Sequence, residues 1–278
     1  MTDLTQMIDA LRPLHRTMDA TRPGDWLSVH PEPGQTFREY VGSDPVTPGG
    51  GRNTVYVQPL GDLQDRQRDV VVLTAGFIGP YLNVPVQTRE ALPLSLVPPE
   101  ARRVHPSWGV RQLLSRYILQ QVLTPRLPDD AAAYVAFTAE DLWPGEGWNF
   151  VFGQASLRHR VGVWSIYRNG DPEADQATFR LCLLRTIKTA THELGHMFSM
   201  QHCTGYRCAM NGSNTLEEKD RRPLALCPEC LAKVCWATGA DPVERYRKLL
   251  SLCRDHGLQP QGEFYEESLN TLTARDRG

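Results

Sequence analysis

Six side chains of metal-binding type lie within the twenty residues T-H-E-L-G-H-M-F-S-M-Q-H-C-T-G-Y-R-C-A-M, which span residues 191–210. Two of them, His192 and His196, are four residues apart. On a helix this spacing separates the side chains by about 40° around the axis and about 6 Å along it, so both imidazoles face one side. Two such rings can bind one zinc ion. In this H-E-x-x-H arrangement Glu193 is not directed well enough to be a ligand itself, but it can reach a water molecule on the metal and is expected to act as the general base.

A catalytic zinc ion needs a third protein ligand and one open coordination position. His202 is the natural third ligand, but on an unbroken helix it would lie about 15 Å beyond His192 and about 80° off the shared face. The ligand set therefore predicts that the helix ends after His196 and that the chain turns back at residues 199–201.

Four cysteines form the pattern C-x4-C…C-x2-C, and they are Cys203, Cys208, Cys227 and Cys230. Four thiolates suit a closed tetrahedral zinc site, which leaves no position for water and is therefore structural. Because one of these cysteines follows His202 directly, the closed site should help to orient the open one. An iron–sulfur cluster and a redox C-x-x-C pair are the rival interpretations. The other three cysteines can equally be plain buried thiols, and they are Cys182, Cys235 and Cys253.

The bulk composition is that of an ordinary globular protein. The chain has 278 residues, with 41% hydrophobic and 22% charged residues and a formal net charge of −2. This balance does not favour a nucleic acid or an anionic membrane as partner. The N-terminal sequence M-T-D-L-T-Q-M-I-D-A lacks signal-peptide features, and no apolar run is long enough to cross a membrane. We therefore expect a soluble, cytoplasmic protein whose cysteines bind metal rather than form disulfides. The oligomeric state stays open, with a monomer as the expectation.

The periodicity of apolar residues predicts an α/β chain. The predicted strands are Thr54–Leu60, Asp69–Leu73, Ala131–Phe137, Trp148–Ala155 and Arg160–Tyr167. The predicted helices are Ser107–Leu123, Thr178–Phe198 and Pro242–His256. Residues 80–99, with five prolines, are expected to form a loop with an extended piece.

The chemistry-bearing residues resemble the archaemetzincins, which are zinc metallopeptidases of the metzincin clan. The extended pattern of that family is H-E-x-x-H-x-x-G-x-x-H-C, four residues, C-x-M, a spacer of about seventeen residues and C-x-x-C. This chain has H-E-L-G-H-M-F-S-M-Q-H-C, followed directly by T-G-Y-R-C-A-M. A spacer of sixteen residues then separates Met210 from C-P-E-C, which begins at Cys227. The stretches W-N-F-V-F-G-Q-A-S-L and R-R-P-L-A-L-C-P-E-C are also similar to the family. The likeness covers residues 50–255.

The resemblance implies a fold and a domain division. The implied fold is a metzincin-like α/β fold, with a mixed, mostly parallel twisted sheet, an antiparallel edge strand, a long active-site helix and a small, mostly helical C-terminal part. Residues 1–50 would be an N-terminal extension, and residues 51–256 the catalytic domain, with an upper part at 51–198 and a lower part at 199–256. Residues 257–278 would be a loose polar tail.

The resemblance also implies roles for further residues. Met210 would be the methionine of the Met-turn beneath the zinc ligands. The predicted strand Trp148–Ala155 would be the antiparallel edge strand. It would pair with an extended peptide substrate through Asn149, Phe150, Val151, Phe152 and Gly153. Two Zn²⁺ ions per chain follow, one catalytic and one structural. Ser199 stands where the family has glycine, and a left-handed backbone there costs a non-glycine residue about 1–2 kcal/mol.

Zinc-dependent hydrolysis of peptide bonds is the function that these residues favour. The resemblance implies small peptides and cleavage from their N-terminus, but no acidic residue for binding an amine is evident, so exopeptidase and endopeptidase action are both left as alternatives. The alternative is a latent, zinc-stabilised interaction module, in which a side chain such as Tyr206 would occupy the fourth position. Nucleic-acid binding through the cysteine site is disfavoured by the mixed charges of residues 217–222.

Overall fold

A computed structural model describes residues 4–156 and 159–275, which form two compact units. The terminal unit consists of Met1–Thr47, Pro80–Asn83 and Phe198–Gly278. The sheet unit consists of Pro48–Gly79 and Val84–Met197. Described residues from the N-terminal and the C-terminal parts of the chain thus belong to the same unit, and the division into extension, catalytic domain and tail stays a prediction. No helix within the described residues has the length and apolar character needed to cross a membrane.

Ten α-helices and eight strands define the architecture of the described residues. The helices are α1 (Leu4–Leu11), α2 (Trp26–Val29), α3 (Phe37–Gly42), α4 (Asp65–Leu82), α5 (Ser115–Tyr117), α6 (Gln176–Met197), α7 (Leu216–Arg221), α8 (Pro228–Thr238), α9 (Pro242–Asp255) and α10 (Gln259–Arg275). The strands are β1 (Thr54–Pro59), β2 (Val86–Thr88), β3 (Arg102–Val104), β4 (Arg111–Leu114), β5 (Ala131–Thr138), β6 (Asp141–Trp143), β7 (Gly153–Ser156) and β8 (Val161–Ser165).

The main sheet of the sheet unit has the strand order β2-β1-β5-β8-β7. The first four strands are parallel to one another, and β7 runs antiparallel to β8 at the edge. All eight residues of β5 are buried, as expected of a central parallel strand that is covered on both faces. The predicted mostly parallel sheet with an antiparallel edge strand is therefore confirmed.

A second, three-stranded sheet has the order β3-β4-β6. Part of it arises from residues 107–123, for which the apolar spacing predicted one helix. That prediction is wrong for the first half, because Arg111–Leu114 pairs with β3 on one side and β6 on the other. Helical structure begins only at Ser115 and continues through the π-helical stretch Ile118–Leu123. Pairing with distant strands thus overrides a local helical pattern.

The predicted strand Asp69–Leu73 is also wrong, since these residues lie within α4. Val70 and Val71 are buried while Val72 is half exposed, and the burial resumes at Phe77 and Ile78. This spacing is helical, so tertiary packing overrides the strand preference of three consecutive valines. The helix passes Pro80 and ends at Leu82, and β2 is the extended piece expected in the following loop.

Helix α6 carries the H-E-x-x-H motif in its last turns, close to the predicted limits. Its buried stripe includes Phe179, Leu183, Ile187 and Leu194, which fixes the rotation of the helix about its axis. The helix ends at Met197 and, as predicted, the chain changes direction directly afterwards.

Ser199 makes that change of direction. It adopts the left-handed backbone conformation with φ 64°, in place of the family glycine. Its Oγ accepts a hydrogen bond of 2.9 Å from the backbone N–H of Val46, which a glycine could not do. The substitution therefore preserves the turn and adds an anchor for a distant segment.

The C-terminal residues differ from the predicted loose tail. Helix α10 covers Gln259–Arg275 and packs on α9. Its Tyr265 and Ser268 are fully buried, and the Tyr265 ring lies 5.7 Å from that of Tyr246. A few apolar residues in a polar sequence are enough to hold this helix because α9 offers them a partner.

Gly153 is required at the start of β7, where it faces Trp164 across the β7–β8 pair. A Cβ at this position would overlap Cδ1 of the Trp164 indole, which is 1% exposed and tightly surrounded.

We expect Gly153→Ala to lower the free energy of unfolding by about 1–3 kcal/mol, measured by urea titration. The control is Gly76→Ala on the exposed face of α4, where a Cβ meets nothing and alanine should add about 0.5–1 kcal/mol. Equal stability of the two variants would contradict this account of Gly153.

Candidate metal centre

The two histidines of the helix motif converge, as their spacing predicted. The Nε2 atoms of His192 and His196 lie 3.0 Å apart, and the rings are nearly perpendicular. Two nitrogens bound to one tetrahedral zinc ion at 2.0–2.1 Å would lie about 3.3 Å apart. The pair therefore fits two ligands of one such ion. Glu193 is half-buried and lies about 100° around the helix axis from His192.

The third histidine, His202, lies in the terminal unit. Its Nδ1 is 2.8 Å from Oε2 of Glu32, and the ring packs edge-on against Trp26 at 5.0 Å. The indole N–H of Trp26 donates to the other carboxylate oxygen of Glu32 at 2.9 Å. Because the carboxylate engages Nδ1, Nε2 is the nitrogen that His202 would present to a metal. Sequence reasoning missed Glu32, since 170 residues separate it from His202 and no local pattern links them.

The four predicted cysteines meet within the terminal unit. Their sulfur atoms all lie within 4.8 Å of one another, and all four side chains are buried and free of disulfides. The Cys203 and Cys227 sulfurs are 3.7 Å apart. Four thiolates at about 2.3 Å from a tetrahedral zinc ion would be separated by about 3.8 Å. The cluster therefore has the dimensions of a closed zinc site.

Backbone N–H groups point at these sulfurs. The N–H groups of Met210 and Cys227 approach Cys208 Sγ at 3.4 and 3.2 Å, and that of Cys230 approaches Cys227 Sγ at 3.5 Å. These donors favour thiolates over thiols.

Three cysteines of the cluster have strongly shifted pKa values. Hydrogen bonds from the other three cysteines hold the pKa of Cys203 far below its usual value. Burial raises the pKa of Cys208 well above the usual value, and hydrogen bonding to Cys203 raises that of Cys230. One thiolate can thus be stabilised by neighbouring thiols, but four buried thiolates need a compensating positive charge. The donor set fits a soft divalent ion such as zinc.

A tight turn follows the second cysteine. In the turn Cys208–Asn211 the N–H of Asn211 donates to the carbonyl oxygen of Cys208 at 3.1 Å. Met210 within this turn is fully buried, and its carbonyl accepts from the N–H of Cys203 at 2.8 Å. The predicted methionine therefore lies in a turn that is paired with the residue next to His202.

The predicted peptide-binding strand is shorter than the sequence suggested. Of its five predicted binding residues only Gly153 lies in β7, and residues 149–152 precede the strand. The carbonyl oxygen of Asn149 accepts from Arg103 and Gln112 at 3.0 and 2.9 Å, and the Phe150 ring lies under the guanidinium of Arg168 at 3.7 Å. Residues 149 and 150 are therefore engaged with side chains of β3, of β4 and of Arg168, while Val151 forms a single bridge, with Leu142, among the described residues.

Comparison with known proteins identifies the family. The profile of peptidase family M54 matches residues 125–235. Archaemetzincin-2 of Homo sapiens and that of Pongo abelii are each 35% identical to this chain over 278 aligned positions, covering 88% of this chain and 76% of the relative. The chain belongs to the archaemetzincin family. It is accordingly a zinc metallopeptidase.

Two solved archaemetzincins have a similar fold. The protein from Methanopyrus kandleri has a TM-score of 0.53 and 26% identity, and the match covers 69% of this chain and 99% of that chain. The protein from Archaeoglobus fulgidus, complexed with malonate, has a TM-score of 0.50 and 28% identity, covering 65% and 99%. Both agree with the predicted metzincin-like α/β fold.

The Asn211 side chain organises the loop between the first two cysteines. It is 3% exposed, its Oδ1 accepts from Cys208 N–H at 2.7 Å, and its Nδ2 donates to the carbonyls of Cys203 and Tyr206 at 2.7 and 2.8 Å. Losing three buried hydrogen bonds at about 1 kcal/mol each should make Asn211→Ala less stable by about 2–3 kcal/mol, measured by urea unfolding at fixed zinc concentration. Asn270→Ala on the exposed face of α10 is the control, expected to shift stability by at most about 0.5 kcal/mol. A loss no larger than that of the control would show that the amide does not hold this loop.

Proposed function

We propose that His192, His196 and His202 hold one zinc ion and that Glu193 is the general base of peptide-bond hydrolysis. The observation that carries this proposal is the convergence of the two α6 imidazoles on Nε2 atoms 3.0 Å apart. Each of the three histidines offers one ring nitrogen as a ligand atom. The left-handed turn at Ser199 supports the third ligand, because it is the change of direction that the ligand set requires.

The proposed chemistry divides between the metal and the chain. When bound, zinc supplies Lewis acidity, which makes water a better nucleophile and polarises a carbonyl group. Glu193 accepts a proton from the attacking water and passes it to the nitrogen of the leaving amine. The water oxygen forms a bond to the carbonyl carbon, the C–N bond breaks, and the products are a carboxylate and an amine. No oxidant or further reactant is needed.

We propose that the substrate is an extended peptide paired with β7. This strand has a sheet partner on one side only within the described residues, so its other edge offers backbone donors and acceptors. Gly153 is the predicted binding residue that this placement supports best. For Asn149, Phe150, Val151 and Phe152 we propose contact with substrate side chains rather than strand pairing. Cleavage from the N-terminus of small peptides stays part of the proposal.

We propose that Cys203, Cys208, Cys227 and Cys230 hold a second, structural zinc ion, giving two per chain. The tetrahedral dimensions of the buried cluster support this. Met210 would serve as the Met-turn methionine, through the backbone pairing of its turn with Cys203. None of the seven cysteines forms a disulfide, which supports our proposal that the protein works in the reducing cytoplasm. We also propose that it is a monomer.

Digestion of a broad peptide library, with and without a chelator, tests the overall function. We expect chelator-sensitive cleavage that returns when zinc is added back. Binding of metal without cleavage of any peptide would support the alternative of a latent interaction module and would overturn the proposal.

Glu193→Gln tests the general base. The amide cannot accept the proton but keeps the size of the side chain, so we expect the histidine zinc to remain and kcat to fall about 10²- to 10⁴-fold. Zinc content by elemental mass spectrometry and cleavage of a fluorogenic peptide are the measurements. Glu100→Gln, at an exposed carboxylate, is the matched control and should retain full activity. Wild-type rates in Glu193→Gln would exclude Glu193 as the base.

Removal of cysteine ligands tests the structural site. Cys227→Ala with Cys230→Ala should lower the zinc content from two ions to one and reduce both thermal stability and activity, because the cluster includes the residue next to His202. Cys235→Ala removes a buried thiol from the same helix, α8, outside the cluster, and should keep both ions. An unchanged zinc content in the double variant would contradict the four-cysteine site.

A further inference from the structure

A segment distant in sequence lies along residues 198–207, the stretch that carries His202, within the terminal unit. We call residues 16–46 the strap. Besides the contact between Glu32 and His202, its hydrogen bonds to residues 198–207 include Arg207 N–H to Arg16 O, Met18 N–H to Gly205 O, Thr204 Oγ to Pro33 O, Gln201 N–H to Gln35 Oε1, Tyr40 O–H to Phe198 O and Val46 N–H to Ser199 Oγ, all between 2.8 and 3.3 Å. The strap thus contacts the His202 segment on both sides of the histidine.

The strap is anchored independently of His202. Glu218 of α7 is fully buried, and both of its carboxylate oxygens accept from the backbone N–H of Trp26 at 3.1 Å, while Arg222 pairs with it at 2.6 Å. Gly34 takes a left-handed conformation with φ 75°, and a Cβ there would overlap the Thr204 hydroxyl. Both features fix the backbone on either side of Glu32.

Glu32 is the strap residue that reaches the predicted metal ligand. Its Oε2 lies 2.8 Å from Nδ1 of His202, its Oε1 accepts from the Trp26 indole at 2.9 Å, and the His202 and Glu32 side chains are 15% and 29% exposed. The indole also packs against the imidazole. Both oxygens of the carboxylate and one side of the imidazole are therefore in contact with defined neighbours.

We propose that Glu32 is a positioning residue for the zinc site. This inference rests on the proposed function, in which His202 is a ligand. A carboxylate that accepts from Nδ1–H fixes the tautomer of the imidazole, orients the ring and increases the electron-donating power of Nε2. The N-terminal strap is then part of the active-site structure, and Trp26 in turn positions Glu32.

Cobalt(II) titration of the full-length chain tests this proposal with a readout other than activity. Thiolate-to-cobalt charge transfer reports the cysteine site, and the weaker d–d bands report the histidine site.

We expect Glu32→Gln to weaken metal binding at the histidine site about 10- to 100-fold while the charge-transfer band keeps its wild-type strength. Trp26→Phe keeps most of the ring contact but loses the hydrogen bond to Glu32, and should weaken the same site about threefold or more. Glu39→Gln, a carboxylate elsewhere in the strap, is the control and should bind metal as the wild type does.

The possible results separate the two proposals. Wild-type affinity at the histidine site in both Glu32→Gln and Trp26→Phe overturns the role of Glu32 and leaves the proposed function intact. A wild-type chain that binds cobalt only at its cysteines overturns both. If Glu32→Gln loses the charge-transfer band together with its folded structure, Trp26→Phe alone decides, and an unchanged affinity in that variant overturns the inference.

Discussion

The change of direction at Ser199 is the constraint on which the proposed site depends. A helix can place two histidines on one face, but a third at the tenth position beyond the first faces elsewhere. The chain must leave the helix sharply, and it does so with a left-handed residue directly after α6. For serine this costs about 1–2 kcal/mol. The hydrogen bond from Val46 to the serine hydroxyl contributes about 0.5–1.5 kcal/mol in return, so the cost is largely offset.

Beyond that turn the chain has little regular structure to hold it. No helix or strand of the described chain lies between Met197 and Leu216, so neither a helix nor a sheet orients His202. The segment around His202 is instead contacted by the Asn211 amide and by the strap, and its Cys203 belongs to the buried cysteine cluster.

The prediction from sequence succeeded where the information was local. The H-E-x-x-H spacing, the length of α6, the turn after it and the cysteine pattern all depend on residues that are near one another in sequence. The alternation of apolar residues in Thr54–Leu60 and the apolar stretches Ala131–Phe137 and Arg160–Tyr167 likewise predicted β1, β5 and β8 within one or two residues. The prediction failed at Asp69–Leu73 and Arg111–Leu114, where short apolar runs are compatible with either structure and the choice is made by the neighbours they pack against.

The sequence by itself determined the types of the proposed ligands, their order and the need for a break in the helix, because donor chemistry and helix geometry are set by residue identity and spacing. Only the tertiary structure decided which residues contact the proposed ligands. Glu32 and His202 are 170 positions apart in sequence. The strap, which is part of the predicted N-terminal extension, forms hydrogen bonds with the loop that carries His202. Helix α10 owes its stability to α9, and β7 begins only at Gly153, opposite the Trp164 indole. These features arise from contacts between distant parts of the chain, which leave no periodic signal in the sequence.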